Sequence, residues 1–155
     1  MYKKLLYESE KEGIEVICLP FKGKIKGLYY NRVIAINKNI DTSAEKTCVL
    51  AEELGHHYTS IGDILDQSRI ENRKQEYRAR AWAYQRLVGP EKLIKAFEYG
   101  VRNRYELADF LGVSEEFVEE AIKYFHQKYG LYYKLGKYYI TFEPLRIYKN
   151  FNERR

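Results

Sequence analysis

The sequence contains little cysteine, little proline and no long apolar run. Its 155 residues include two cysteines and three prolines. Cys18 and Cys48 form no Cys-x-x-Cys pair, which argues against a disulfide framework, and we expect both to be small core residues in a reducing compartment. No apolar run reaches the roughly 18 residues that a membrane-spanning helix needs, and the charged first twelve residues do not form a signal-peptide core. The sequence therefore predicts a cytoplasmic protein without a membrane segment.

The composition is that of a folded chain with an uneven charge distribution. Hydrophobic residues make up 45% and charged residues 32% of the chain, enough for a buried core and too apolar for a disordered protein. The net charge is +5. Residues 69–86 and residues 131–155 each hold six basic and two acidic side chains, whereas residues 101–130 hold four basic and six acidic ones. Positive charge is therefore concentrated in two segments. For nucleic-acid binding, this distribution matters more than the net charge.

The first ninety residues predict a mixed α and β domain. A short helix over 1–12 ends at Gly13, and β-rich segments at 14–21 and 28–37 are expected to pair as antiparallel strands. Thr42 and Glu45 form a capping box that starts a helix running to about Tyr58. A further helix is predicted over 69–87, with one apolar core stripe, here called the tyrosine stripe, formed by Tyr77, Ala81 and Tyr84.

The remaining residues predict a separate helical module with a hairpin. Helices are expected at 91–99, 105–111 and 115–129, with Ser114 capping the last one. Two short strands about Gly136 follow within 131–142. Helix, turn, helix and hairpin is the order of a winged helix-turn-helix module. The fold class is therefore α+β, with domains predicted at 1–90 and 91–155.

The stretch VLAEELGHHYT at 49–59 lies on the capped helix and carries the candidate chemistry. Residues four apart on a helix project from one face, so Glu52 and His56 can bind one metal ion. Glu53 follows the first ligand and can act on a bound water. The spacing is that of the H-E-x-x-H metallopeptidase helix, with Glu52 in the place of the first His.

A site of this kind produces a nucleophile at neutral pH. A bound metal lowers the pKa of its water from about 15.7 toward roughly 7 and polarises the scissile carbonyl of a peptide. Glu53 would take the proton from that water and pass it to the leaving amine. Two protein ligands rarely suffice. Glu76 is the best third candidate, because it lies on the following helix opposite the predicted tyrosine stripe.

Two segments resemble the ImmA/IrrE family of metallopeptidases. That family has a helix ending in His-Glu-Leu-Gly-His and a later Glu-x-x-Ala-x-x-x-Ala helix closing on Pro. The matching residues are Glu53, Leu54, Gly55 and His56 in the first motif, and Glu76, Ala79, Ala83 and Pro90 in the second. The likeness is strong over about residues 1–90, and residues 106–122 look like the helical extension often found in such proteins. The resemblance implies a zincin-like domain with His56 and Glu76 as metal ligands and Glu53 as general base.

The sequence departs from the family pattern at Glu52, where the pattern has His. A carboxylate can coordinate zinc, so Glu52, His56 and Glu76 could provide one nitrogen and two oxygen donors. Such a site is harder and more anionic than usual, and we expect it to tolerate manganese beside zinc. A frame shifted by one residue would use Glu53 and His57 as ligands. Only the first frame leaves a neighbouring glutamate to act as base.

Several other polar residues can be interpreted either as functional or as purely structural. Asp63 and Asp66 could assist the metal, although turn formation explains them. Tyr58 is close enough in sequence to be considered for oxyanion stabilisation. His126 fits a favourable interaction with the end of its helix. The basic residues of 69–86 are typical of a solvated helix face, with recognition of an acidic substrate as the alternative.

The resemblance implies a peptidase that cuts a partner regulator, such as a helix-turn-helix repressor encoded nearby on a phage or mobile element. We expect an extended substrate segment to pair with the edge of the strand at 28–37. A non-catalytic protein that sequesters the same regulator is the alternative. A DNA-binding factor is a third hypothesis. The start of the predicted recognition helix argues against nucleic acid, because four carboxylates would face a polyanion there: Glu115, Glu116, Glu119 and Glu120.

Overall fold

A computed structural model describes the backbone of residues 1–59 and 69–151 and the side chains of residues 1–59 and 72–151. Along this part of the chain the elements are α1 (Tyr2–Lys11), β1 (Glu15–Leu19), β2 (Gly27–Tyr30), β3 (Val33–Asn37), α2 (Ser43–Thr59), α3 (Arg69–Val88), α4 (Pro90–Tyr99), α5 (Arg104–Leu111), α6 (Glu115–Tyr129), β4 (Tyr133–Leu135), β5 (Tyr138–Phe142) and β6 (Leu145–Lys149). Helices and two small sheets confirm the predicted α+β class. The chain divides into two compact units, residues 1–86 and 87–155, and the predicted functional domains at 1–90 and 91–155 stay a prediction.

The sheet of the first unit has the strand order β1-β3-β2. β1 runs parallel to β3, with Cys18 opposite Ile36, while β2 pairs with β3 in the antiparallel direction. The predicted antiparallel pairing of 14–21 with 28–37 is therefore wrong. Residues 28–37 hold two strands instead of one, and β1 joins the second of them in parallel.

A tight turn at Asn31 and Arg32 separates β2 from β3. Both residues have positive φ, +43° and +65°, which suits a two-residue hairpin but is unfavourable for arginine. Hydrogen bonds hold Arg32 in this conformation: its Nη1 donates to the Glu12 carbonyl at 2.7 Å, and its own carbonyl accepts from the Glu15 amide at 2.9 Å. Tertiary contacts thus stabilise a turn that lacks glycine.

Helix α2 packs on this sheet and contributes much of the core of the unit. The amide of Glu45 donates to Thr42 Oγ1 at 3.1 Å, which confirms Thr42 as the cap. The buried side chains of the helix and the central strand include Ile34, Ile36, Leu50, Ala51 and Leu54. Burying such apolar surface contributes about 25 cal/mol per Å². The second half of α2 is therefore held firmly by its apolar face.

The predicted tyrosine stripe of α3 is largely wrong. Tyr77 is 53% exposed, and of the three residues only Tyr84 is buried. The buried positions of α3 include Gln75, Ala79, Ala83 and Leu87, which lie four residues apart. The small residue Ala79 lies where α3 closely approaches Gly55 of α2.

The second unit contains α4, α5, α6 and an antiparallel sheet in the order β4-β5-β6. Ser114 Oγ accepts from the Phe117 amide at 3.1 Å, as expected for the predicted cap. The core includes Phe125, Ile140 and Phe142. The predicted hairpin is present, and β6 adds a third strand that the sequence did not indicate.

The two cysteines differ in their surroundings. Cys48 is buried in α2, as predicted, whereas Cys18 is exposed on β1, so the prediction that both are core residues is wrong for Cys18. Neither cysteine forms a disulfide bond. Across residues 1–59 and 69–151, no helix combines the length and the apolar content that a bilayer crossing requires.

Candidate functional site

Gly55 brings the C-terminal half of α2 against α3. A Cβ atom at this position would collide with the backbone carbonyl of Ala79. A residue other than glycine would therefore hold the two helices apart. This close approach places the α2 segment with Glu52, Glu53 and His56 beside the α3 segment with Glu76.

Gly27 gives β2 a similarly close approach to α2. A Cβ atom here would lie 2.7 Å from Val49 Cγ1 and 3.0 Å from Glu53 Oε1. The backbone of β2 thus runs directly beside the carboxyl group of Glu53. β2 is an edge strand of the sheet, and within the described residues one of its sides has no partner strand.

His56 and Glu76 form the central contact of the site. His56 Nε2 and Glu76 Oε1 are 3.2 Å apart, with the histidine side chain 15% and the glutamate side chain 60% exposed. The hydrogen bond to Glu76 raises the pKa of His56, and the same bond lowers the pKa of Glu76. Sequence reasoning placed these two residues together, and the structure brings them into contact.

Glu53 is the buried carboxyl group of the site, at 9% exposure. Burial is the main cause that raises its pKa to about 7. His56 lowers this pKa, whereas the carboxylates of Glu52 and Glu76 raise it. A carboxyl group with a pKa near neutrality can both accept and release a proton at neutral pH.

The geometry of two donors fits a zinc ion. Bonds of 2.0–2.2 Å at a tetrahedral angle separate two donor atoms by about 3.4 Å, close to the 3.2 Å between His56 Nε2 and Glu76 Oε1. Glu52 is near enough to influence the pKa values of Glu53 and His56. Among the described residues, however, no three His, Cys, Asp or Glu side chains converge on one point as a complete metal site would require. The His56–Glu76 pair therefore supplies two metal donors, and a third donor is proposed below.

His57 lies in a different environment from His56. Its Nδ1 shares a hydrogen bond with Tyr29 Oη of β2 at 2.7 Å, and the two rings meet edge to face. Burial is the first cause that lowers the pKa of His57. His57 thus connects α2 to β2, whereas His56 connects α2 to α3.

The structure describes most of the remaining candidate residues. Tyr58 is 46% exposed, and its ring stacks on Trp82 of α3 at a centroid distance of 5.0 Å. His126 Nε2 lies 3.2 Å from Glu143 Oε2 in the second unit. Asp63 and Asp66 lie outside the described residues. Within the basic segment, the residues left on the solvent side of α3 include Arg73, Lys74, Arg78 and Arg80.

Sequence reasoning missed the contribution of β2. Gly27 and Tyr29 occupy alternate positions of this strand and both meet α2. Half-buried and exposed residues alternate along Gly27–Tyr30 in the structure. The sequence Gly-Leu-Tyr-Tyr has no matching alternation of polar and apolar residues, so no local signal identifies this face.

Comparison with known proteins gives one result. The family model described as the IrrE N-terminal-like domain, Peptidase_M78, matches residues 9–123. No match was found among curated proteins or among solved structures. The matched range includes β2, α2 and α3, and hence Glu52, Glu53, His56 and Glu76. The chain therefore belongs to the M78 peptidase family of IrrE N-terminal-like domains, which confirms its resemblance to the ImmA/IrrE proteins.

Proposed function

We propose that the chain is a metal-dependent endopeptidase that cleaves a partner transcriptional regulator. Membership of a peptidase family supports a metallopeptidase-type function. The observation that carries the proposal is the contact between His56 and Glu76 at 3.2 Å, beside the buried carboxyl group of Glu53. A nitrogen donor, an oxygen donor and a carboxyl group that can act as base are the components that metal-assisted hydrolysis needs.

His56, Glu76 and Glu52 are the proposed metal ligands. Glu52 lies one helical turn before His56 and acts on its pKa, which supports its choice as the third donor. The frame with His56 is favoured over the shifted frame, because Glu76 contacts His56 while His57 contacts Tyr29. One nitrogen and two carboxylate donors suit zinc and would also accept manganese.

The reaction assigns a separate role to each residue. When bound, a divalent metal lowers the pKa of a water molecule toward roughly 7 and polarises the carbonyl to be attacked. Glu53 takes the proton released by the attacking water and later donates it to the leaving nitrogen. Burial raises the pKa of Glu53 above that of an ordinary carboxyl group, which makes it a stronger base. Tyr29 and His57 act as positioning residues, because their hydrogen bond ties β2 to the catalytic helix.

The substrate segment is proposed to pair with β2. The strand expected for this role, residues 28–37, is divided in two, and its second half, β3, lies in the middle of the sheet. Among the strands of the described residues, β2 alone combines an open edge with proximity to Glu53. Backbone pairing at such an edge binds an extended peptide with little demand on its sequence. We propose that the protein acts in the cytoplasm and that a helix-turn-helix repressor supplies this segment. We also propose a zincin-like arrangement of the first unit and a winged-helix-like second unit with a protein-docking or structural role.

A peptide-cleavage assay tests the proposal. The purified full chain, loaded with zinc or manganese, is incubated with a defined peptide library, and new termini are identified by mass spectrometry. Glu53→Gln should lower the cleavage rate by about 100-fold or more, since positioned proton transfer contributes 10²–10⁴-fold. Glu10→Gln, an exposed change of equal charge on α1, should retain the wild-type rate.

Two outcomes would contradict the enzyme proposal. Equal rates for wild-type protein and Glu53→Gln would show that Glu53 is not the base. A metal-loaded wild-type protein that cuts no peptide and no co-expressed regulator, but still binds a regulator, would support the non-catalytic alternative.

A further inference from the structure

The β4-β5-β6 sheet of the second unit has one buried and one open face. Tyr138, Ile140 and Phe142 of the central strand are buried in the core. The residues between them point to the other face, because side chains alternate along a strand. The register of the sheet places Lys134 opposite Tyr139 and Tyr139 opposite Tyr148, in one row across all three strands.

Aromatic rings are concentrated on this open face. Tyr148 is 52% exposed, and Tyr132, directly before β4, is 57% exposed. The rings of Tyr132 and Tyr139 lie 5.7 Å apart between centroids. A cluster of large exposed aromatic side chains on one sheet face is typical of a binding surface.

The charge of the same face is positive. Lys134 stands 5.6 Å above the ring of Tyr139, and Arg146 lies opposite Thr141 in the neighbouring row. Lys134 and Arg146 carry this charge, and the one acidic residue of 131–151, Glu143, lies in the turn between β5 and β6. This distribution is the opposite of that at the start of α6, where the carboxylates are exposed.

We propose that this open face binds single-stranded nucleic acid. Tyr132, Tyr139 and Tyr148 would stack on unpaired bases, while Lys134 and Arg146 would contact the phosphate backbone. Aromatic side chains interleaved with cations on a sheet bind single strands in this way, with little dependence on sequence. A duplex offers no unpaired base to such a face, and the acidic start of α6 opposes duplex reading by that helix. This sheet face is thus distinct from the start of α6, whose carboxylates oppose nucleic-acid binding. The proposal does not depend on peptide cleavage.

Fluorescence anisotropy with labelled 15-nucleotide oligo-dT and oligo-rU tests the stacking. Wild-type full-length protein should bind at about 50 mM salt, and Tyr148→Ala should weaken binding by about 5-fold or more, the lower limit for losing one stacked base. Tyr148→Phe should retain binding, because the ring alone stacks. Tyr105→Ala removes a 70% exposed tyrosine from α5 and should leave the affinity unchanged. Tighter binding of oligo-rU would identify RNA as the preferred ligand, and tighter binding of oligo-dT would identify DNA.

The salt dependence separates charge from stacking. Arg146→Gln should reduce the slope of log affinity against log salt by about 0.7, whereas Tyr148→Ala should leave the slope unchanged. Lys95→Gln, a change at an exposed lysine on α4, should not alter the slope. The proposal is overturned if neither oligonucleotide binds, if Tyr105→Ala weakens binding as much as Tyr148→Ala, or if a duplex or poly-glutamate competes as well as an unlabelled single strand. Circular dichroism of each variant confirms that the fold is retained.

Discussion

Replacing Gly55 by alanine perturbs the packing that joins the two halves of the candidate site. The new Cβ atom would lie 2.8 Å from the carbonyl carbon of Ala79, whereas ordinary van der Waals contact begins at 3.4 Å. Both partners belong to helix backbones, which cannot rotate away as a side chain can. The carbonyl oxygen of Ala79 lies nearer still to the new atom, so α2 and α3 must separate locally by more than about 0.6 Å, the distance that the carbon contact alone requires.

The cost of this separation follows from two opposing effects. Overpacking costs about 1–3 kcal/mol, and a backbone contact belongs in the upper half of that range. Alanine recovers about 1 kcal/mol through its higher helix propensity. The free energy of unfolding of Gly55→Ala should therefore fall by about 1–2 kcal/mol. The separation would also lengthen the His56–Glu76 contact, so zinc affinity should fall.

Urea unfolding followed by tryptophan fluorescence measures this change. Trp82 is the only tryptophan in the chain, and its ring stacks on Tyr58 across the same pair of helices. Lys4→Ala, an exposed helical position on α1, is the control and should change the stability by less than about 0.5 kcal/mol. A Gly55→Ala protein that is as stable as the wild type and binds zinc equally well would refute the packing argument.

Three further substitutions test other contacts. Tyr29→Phe removes the hydroxyl bonded to His57 and should lower the free energy of unfolding in urea by about 1 kcal/mol; unchanged stability would mean that the bond contributes nothing. Ser114→Ala removes the cap of α6 and should cost about 1 kcal/mol, measured by far-UV circular dichroism; a loss near zero would contradict the capping role. Gly27→Ala places a methyl group 2.7 Å from Val49 Cγ1 and should lower the free energy of unfolding, measured by calorimetry, by about 1–3 kcal/mol. A variant whose melting temperature equals that of the wild type would contradict the close approach of β2 to α2.

Local signals predicted the helices well. The Thr42 and Ser114 caps depend on side chains three residues from the amides that they accept from, and both are present. The bounds of α2, α3 and α6 consequently agree closely with the predicted ones. Because the bounds of α2 were predictable, Glu53 and His56 could be placed three residues apart on one helix.

Non-local packing explains what the sequence did not reveal. The turn between β2 and β3 contains Asn31 and Arg32 instead of glycine, so one long strand was predicted where two exist. The parallel pairing of β1 with β3 depends on a distant partner, which no local pattern encodes. On α3, ring size favoured Tyr77 as a core residue, but Tyr77 is exposed and Ala79 is the residue that packs against Gly55 of α2.

The central claim is that His56 and Glu76 hold a divalent metal ion together with Glu52. Its most direct test is the metal content of purified protein after dialysis against zinc, measured by inductively coupled plasma mass spectrometry. Wild-type protein and His57→Ala should each retain one zinc ion per chain, whereas His56→Ala, Glu76→Gln and Glu52→Gln should lose it. Zinc retained by His56→Ala and lost by His57→Ala would contradict the account and assign the metal to the shifted frame.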